Sequence, residues 1–492
     1  MIILSVTGPS VVEALAQMRA SRRDADLIEL RLDRIAHGRK IGELIRAARR
    51  PVIATCRPRW EGGAFEGSER ERVRVLETAS AQGARYLDLE LAAWHSLMRT
   101  LRESAPPRGT IASLHHFGRR APSARQVFGR LRAVGADVVK YAFRAESIAS
   151  IALVQDFLTL AKGEGQRAIA IGMGEHGETS RVLYRKLGGW ATYGRAASGE
   201  AAAAGQLSVA ELRRLYRSHR QNSRTRVFGV VGNPVAQSKG VQLHNRLLRG
   251  MNAVYCRLLV NDLAQFMDRV APMTSGFSVT IPHKEAMLRF IQACDDRAAR
   301  AGAVNTVLRR GGTFWGTNCD GIGALRAIER VAPVRGKVLL ILGSGGTARA
   351  IASEAHRRGA EVIIAGRSMN RARALARELD LRAVPMEEAG EMDFHILANA
   401  TPVGMAPNVK ATPIKAHHLR NKVVFDAVYN PAETKLLREA RRLGARTVSG
   451  TEMFLNQAAI QFELFTGCRA DRTVMRRTLK HALAQQSSSD TL

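Results

Sequence analysis

Cysteine is sparse in this chain: Cys56, Cys256, Cys294, Cys319 and Cys468 lie far apart, with no C-x-x-C pair among the five. That spacing excludes a disulfide framework and a thiolate zinc site, so no metal is expected, and it suits a reducing compartment, the cytoplasm. No apolar run approaches the ~20 residues that cross a bilayer, which leaves no membrane partner to expect. The opening MIILSVTGPS has no basic n-region and reads as a first strand rather than a secretory signal. Lysine is scarce too. Only 12 of the 75 basic residues are lysines, against 63 arginines. Arginine stays charged at any physiological pH, whereas a partly buried lysine can reach its neutral, nucleophilic form, so the few lysines are the ones to inspect.

Acidic residues are in deficit, and the net charge is +31. A surplus of that size raises nucleic-acid binding as a reading. The arginines are spread along the whole chain, however, with no zinc-finger spacing and no RNP-like aromatic segment. The charge is therefore read as basic solvated faces that favour anionic small substrates, with no nucleic-acid partner expected. The one low-complexity piece is the tail QQSSSDTL, expected to be disordered.

The 492 residues are enough for two or three domains with cores of their own. Through the first 195, short apolar runs alternate with stretches of helical spacing: IILSVTG, DLIELRL, PVIATC, ARYLDLE, GTIASLH, ADVVKYAF, RAIAIGM and GWATYG. Eight strand–helix units of this length predict a (β/α)₈ barrel, whose active site lies at the carboxyl ends of the strands. The polar residues there form a set. Strand two ends with Glu29 and Arg31, strand three runs into Arg57, strand five ends at His115, strand six at Lys140, and Arg181 follows strand seven. Singly, each has a plain structural reading: Glu29 and Arg31 an ion pair, His115 a core histidine, Lys140 an end-of-strand lysine. Their common placement at one mouth favours a site.

The segments ELRLD, TCRPRWEGG, SLHHF, VVKYA and GMGEHGETSR resemble type I 3-dehydroquinate dehydratases over roughly residues 1 to 218. The resemblance implies that Lys140 forms a Schiff base with the ketone of 3-dehydroquinate, that His115 moves the protons, and that Glu61 orients His115. It also implies substrate-holding roles for Ser5, Glu29, Arg31, Arg57, Arg181 and Gln206, with Arg181 gripping the carboxylate. Two positions depart from the family: His116 stands where Asp is frequent, and Ala202 where a serine precedes the Gly-Gln pair. Weaker substrate holding is expected from the second.

A polar, basic linker around 219 to 225 precedes a second α/β series. In KVLLILGSGGTARAIASEA, an apolar strand meets a glycine turn and a helix, and Gly343, Gly345 and Ala348 fit G-x-G-x-x-A. Small residues there let the backbone approach a pyrophosphate at the helix N-terminus, so Gly343, Ser344, Gly345, Gly346 and Thr347 are candidate cofactor contacts. After the next strand, Gly366 is followed by Arg367, Ser368 and Arg371 rather than by an acid. Those donors suit a 2′-phosphate, so the expected cofactor is NADP.

GNPVAQSK, SVTIPHK, GAVNTV, GTNCDGIG, NATPVGM, DAVYNP and GTEMFLNQAA resemble shikimate dehydrogenases over roughly 226 to 485. The resemblance implies Lys284 and Asp320 as a catalytic pair. It assigns substrate contacts to Ser238, Thr280, Asn305, Tyr429 and Gln457, and a nicotinamide side to Asn399, Thr401, Met405, Ala427 and Gly450. Gly240 replaces a serine that binds the substrate carboxylate, and Ser278 stands where Asn is usual. Loss of one charge-assisted hydrogen bond costs about 1.5–3 kcal/mol, and the space beside C1 would admit the extra hydroxyl of quinate.

The expected architecture is a dehydratase TIM barrel over 1–218, a substrate-binding domain over 226–330, a Rossmann-type NADP-binding domain over 335–450 and returning helices over 451–485. The expected function is two consecutive shikimate-pathway steps of aromatic amino acid biosynthesis: dehydration of 3-dehydroquinate, then NADPH reduction of 3-dehydroshikimate to shikimate. A second half acting on quinate, or one reduced to a non-catalytic module, are the alternatives. A homodimer stays open.

Overall fold

The computed structural model describes residues 1–36, 40–196 and 205–489, so Ala202 lies outside the described residues. The chain divides into two compact units, Met1–Val227 with Gly250–Met273 and Phe228–Arg249 with Thr274–Leu492.

The first unit holds eight parallel strands: β1 (Ile2–Val6), β2 (Leu27–Arg31), β3 (Val52–Thr55), β4 (Tyr86–Glu90), β5 (Thr110–His116), β6 (Val138–Arg144), β7 (Arg167–Met173) and β8 (Thr192–Arg195). They pair in the order β7-β6-β5-β4-β3-β2-β1-β8. Trp190 N donates to Ala168 O at 2.8 Å beside the gap between β7 and β8. Both faces of each strand are covered, which is why the runs are continuously apolar instead of alternating. Ile3, Leu27, Ile53, Ile111, Val138 and Ile169 fill the barrel interior as a packed layer, leaving the polar ends of the strands above it. Helices start where the sequence supplies caps: Ser10 with Glu13 and Ser68 with Glu71 form reciprocal capping boxes. The stretch read as a linker is a built turn, with Gln221 and Thr225 buried and Thr225 Oγ1 donating to Asn252 Oδ1 at 2.6 Å.

Beyond it lie β9 (Arg226–Gly232), β10 (Ala253–Leu259), β11 (Gly276–Val279), β12 (Ala293–Cys294), β13 (Thr306–Arg310) and β14 (Thr313–Thr317), a mixed sheet in the order β10-β9-β11-β13-β14-β12. A second, parallel sheet comprises β15 (Val338–Leu342), β16 (Glu361–Gly366), β17 (Arg382–Pro385), β18 (Ile396–Asn399), β19 (Val423–Asp426) and β20 (Arg446–Val448), ordered β17-β16-β15-β18-β19-β20. The strand order reverses between β15 and β18, the crevice where doubly wound sheets bind ligands. The helix Gly450–Thr466 returns to pack on the helix Asp320–Ile328. The last helix, Arg472–Ser489, takes in the first five residues of the tail expected to be disordered. No described helix is long and apolar enough to cross a membrane.

Candidate active sites

All nine barrel residues picked from the sequence, Ser5, Glu29, Arg31, Arg57, Glu61, His115, Lys140, Arg181 and Gln206, line one cavity of about 640 Å³. Register explains part of this convergence: Glu90 lies opposite Ser113, and Ser113 opposite Lys140, on successive strands. Lys140 Nζ donates to Asp88 Oδ2 at 2.8 Å and stands 4.4 Å from the centre of the Tyr193 ring. The other oxygen of Asp88 pairs with Arg57 at 2.7 Å. Burial pushes the Asp88 carboxyl up, but Arg57 and Lys140 together outweigh it and hold the group well below the usual carboxylate range. Arg57 also reaches Glu90 and Ser113, each at 2.8 Å, and Glu90 is held from behind by the fully buried Arg72 at 2.6 Å.

His115 is fixed by one carboxylate twice. Glu61 Oε1 accepts from the His115 backbone N at 2.8 Å and contacts Nδ1 at 2.9 Å. Burial pushes the Glu61 carboxyl up to about 7 against the pull of Arg57. Burial, then Arg57 and Lys140, push the His115 imidazole well below its ordinary value. A neutral ring whose Nδ1–H donates to Glu61 leaves Nε2 as the basic nitrogen.

Glu29 accepts from Ser5 Oγ and, at 3.0 Å, from Thr55 Oγ1. Arg31 pairs in bidentate fashion with Asp33, at 2.9 and 2.7 Å, so a Glu29–Arg31 ion pair is not what forms. Arg181 differs from every other cation in the cavity. Among the described residues its one side-chain hydrogen bond runs from Nη1 to Tyr193 O at 3.4 Å and its buried Nε has no partner, and burial alone lowers its pKa to about 10. A desolvated guanidinium that no described carboxylate pairs with is a ready site for an anionic ligand.

In the second unit Lys284 Nζ donates to Asp320 Oδ2 at 2.6 Å, and Asn305 Nδ2 donates to Oδ1 at 2.7 Å. Asp320 is buried at the start of its helix, where its own N–H reaches Asn318 Oδ1 at 2.9 Å. Asn305 is in turn clamped by Thr306 Oγ1 and Cys319 N on its Oδ1, and by Gln461 on its carbonyl. Ser278 donates to Gln461 Oε1 at 2.9 Å, so the residue standing in for Asn braces this clamp. Thr280 N bonds Val231 O, and Gln457 packs against Gly323 of the helix that Asp320 begins. Tyr429 stacks on Phe454, 5.1 Å between centroids; neither it nor Ser238 hydrogen-bonds Lys284 or Asp320 among the described residues. Gly240 is the first residue of the helix Gly240–Leu247.

The nucleotide turn leaves β15 at Gly343, whose φ of +111° few side chains tolerate. No side chain caps the helix Gly346–Arg357, and a Cβ built on Gly345 meets nothing within 4 Å, so the helix start is uncapped and has room beside it. Arg367, Ser368 and Arg371 are exposed beyond Gly366 at the end of β16. Neither arginine has an ion-pair partner among the described residues, and Ser368 caps its helix without a side-chain bond. This donor set fits a phosphorylated dinucleotide. At the ends of β18 and β19, Asn399 accepts from Thr401 N and Oγ1 and donates to Asp426 at 2.9 Å. Asp426 also accepts from Val428 N and Thr434 Oγ1, and burial pushes its carboxyl up to about 6. Met405 is partly exposed beside this turn. A Cβ on Gly450 would fall 2.5 Å from the carbonyl oxygens of Ala427 and Val428, which explains glycine where this helix starts.

Sequence reasoning passed over Asp33, Asp88, Glu90, Arg72 and Asp426. The signal for Asp88 and Glu90 was there, since the run ARYLDLE also ends on acids at the catalytic face.

A barrel with a lysine and a histidine at its mouth, joined to a two-lobed unit with a lysine–aspartate pair and a dinucleotide turn, defines a lyase fused to a nicotinamide-type oxidoreductase. The comparisons agree. Type I 3-dehydroquinase matches residues 2–223, the shikimate dehydrogenase substrate binding domain 230–307, and the shikimate 5′-dehydrogenase C-terminal domain 450–480. Residues 338–430, the nucleotide unit, match NADP oxidoreductase coenzyme F420-dependent. The chain is 37% identical over 501 residues to a bifunctional 3-dehydroquinate dehydratase/shikimate dehydrogenase, chloroplastic, of Arabidopsis thaliana, covering 95% of this chain and 83% of that one. It is 37% identical over 276 residues to a shikimate dehydrogenase (NADP(+)) of Methanocaldococcus jannaschii, covering 52% of this chain and 97% of that protein. A crystal structure of a shikimate dehydrogenase in complex with NADP+ matches with TM-score 0.50 and 35% identity, over 54% of this chain and 97% of that one. The chain belongs to the bifunctional 3-dehydroquinate dehydratase/shikimate dehydrogenase family of the shikimate pathway.

Proposed function

We propose that Lys140 is the Schiff-base lysine of the dehydratase half. Its neutral amine adds to the C3 ketone of 3-dehydroquinate and water leaves, giving an iminium that draws electrons from the C2–H bond. His115, through Nε2, takes that proton and returns it to the departing C1 hydroxyl, so a second water leaves. Hydrolysis of the iminium frees 3-dehydroshikimate and restores Lys140. Glu61 holds His115 in the tautomer this needs. Asp88 balances the charge beside the amine, Arg181 holds the substrate carboxylate, and Ser5, Glu29, Arg31, Arg57 and Gln206 hold or frame its hydroxyls. The observation that carries this reading is the single cavity lined by all nine residues.

In the second half, Lys284 delivers a proton to the carbonyl oxygen of 3-dehydroshikimate, and Asp320, fixed by Asn305, aims it. Bound NADPH supplies the hydride. Gly343, Ser344, Gly345, Gly346 and Thr347 cradle its pyrophosphate, while Arg367, Ser368 and Arg371 take the 2′-phosphate. Asn399, Thr401, Ala427 and Gly450 shape the nicotinamide side. Ser238, Thr280, Tyr429 and Gln457 are the remaining substrate contacts. The five cysteines are all free, which supports a reducing compartment such as the cytoplasm.

Purified protein given 3-dehydroquinate tests both halves. The conjugated 3-dehydroshikimate should form without cofactor, and shikimate should form with NADPH. One observation favours a second reading: Gly240 removes a side-chain donor at the start of the helix Gly240–Leu247. Quinate as the reduced product would establish that reading, whereas no NADPH oxidation would leave a silent second half.

A further inference from the structure

Arg181 sits on the five-residue helix Glu178–Val182, reached from β7 through a turn whose Gly174, Glu175 and His176 line the dehydratase cavity. Among the described residues the guanidinium has a single long hydrogen bond and an Nε without a partner, so its aim is set by the helix that carries it more than by its own contacts. Arg257 and Tyr216 both hold that helix. Arg257 Nη1 donates to Glu178 Oε1 at 3.3 Å and to Tyr216 Oη at 3.3 Å, and Tyr216 Oη donates to Glu178 at 3.2 Å. Thr179 Oγ1 donates to the Arg257 carbonyl at 3.1 Å. The contacts are largely shielded: Tyr216 and Thr179 are buried, and the side chains of Arg257 and Glu178 are 14% and 20% exposed.

Arg257 lies on β10, inside the stretch 230–307 that matches the shikimate dehydrogenase substrate binding domain. Yet Gly250–Met273 belongs to the same compact unit as the barrel. We propose that Arg257 is a positioning residue for dehydration: through Glu178 and Thr179 it fixes the helix that aims Arg181 at the substrate carboxylate. A residue from the reductase part of the sequence thereby tunes the lyase. The inference rests on the reading of Arg181 as the carboxylate holder.

The full-length chain tests it, with dehydration of 3-dehydroquinate and NADP-linked oxidation of shikimate assayed side by side. R257M should raise KM for 3-dehydroquinate about ten-fold with kcat within about two-fold, the signature of lost substrate holding. R257K should recover most of that loss. Glu178→Met should raise the same KM, and the R257M/E178M pair should be no worse than the poorer single variant, because both cut one chain of contacts. KM for shikimate should stay within about two-fold throughout. If R257M does not fold, Thr179→Val and Glu178→Met read the same effect. Unchanged KM in R257M and E178M, with a raised KM in R181M, overturns the positioning role and leaves Arg181 standing. An unchanged KM in R181M overturns the reading of Arg181 itself. A proportionate fall of both activities in R257M reduces Arg257 to a structural residue and overturns the proposal.

Discussion

Lys140 stands 2.8 Å from Asp88 with 7% of its side chain exposed, and Lys284 stands 2.6 Å from Asp320 with 19% exposed. The partners of the two aspartates differ more than these figures do. Asp88 divides its charge between Lys140 and Arg57, at the centre of a buried network that continues through Glu90 to Arg72. Among the described residues Asp320 gives its charge to one cation, and its other contacts are the neutral Asn305 amide and its own backbone against Asn318. The roles proposed above, nucleophile in one half and acid in the other, fall to the same two residue types, which differ in what else touches the carboxylate.

The largest expected break between the halves comes from K140M. Dehydration should fall on the order of 10⁴–10⁶-fold, as when a covalent nucleophile is removed, while shikimate oxidation is unchanged. Borohydride trapping of substrate should disappear with it, and dehydration within ten-fold of the parent would sink the Schiff-base role. D320N should do the reverse, lowering kcat for shikimate oxidation about 10²–10⁴-fold and sparing dehydration. The cofactor side is a smaller effect. Because Arg367 and Arg371 are exposed, replacing both by alanine should raise KM for NADP only about ten-fold. KM for NAD should barely move, and an equal rise for both cofactors would remove these arginines from the 2′-phosphate.

The smallest effect is on pH. Glu61 holds Nδ1–H of His115 most strongly as the carboxylate, and its pKa is raised to about 7. As pH falls through 7 the carboxyl takes up its proton, so dehydration should decline a few-fold on the acid side with an inflection near 7. E61Q should flatten that limb, and shikimate oxidation should not share it. A limb unchanged in E61Q would assign the inflection elsewhere.

The eight barrel strands were legible because parallel strands covered on both faces are uninterrupted apolar runs, and the mouth was legible because several of the runs end on or lead into a charged residue or a histidine. The glycine turn and the basic stretch after Gly366 were legible as local chemistry. The carboxylates that organise the site were not. ARYLDLE marks Asp88 as an acid at the catalytic face, but its partners show only when barrel closure brings Arg57 and Lys140, on either side of it in the sequence, to its two oxygens. Arg72 looks like a helix-surface arginine in ERERVRV, yet it is fully buried under Glu90. Asp426, inside the quoted DAVYNP, shows its importance only when Asn399 and Thr434 arrive at its oxygens from other segments. The grouping of 250–273 with the barrel has no local signature either, because it depends on side chains such as Arg257 meeting residues far away in sequence.

The bare guanidinium of Arg181 has a practical consequence for anyone who handles the protein. Burial strips it of solvation, and no carboxylate among the described residues pairs with it, so the cavity should attract anions. Citrate, acetate and phosphate buffers should act as competitive inhibitors of dehydration while leaving shikimate oxidation much less affected. Rates measured in such buffers would understate the lyase relative to the reductase, and inhibitors that keep a carboxylate should outperform their neutral amides by far more than solution hydrogen bonding predicts.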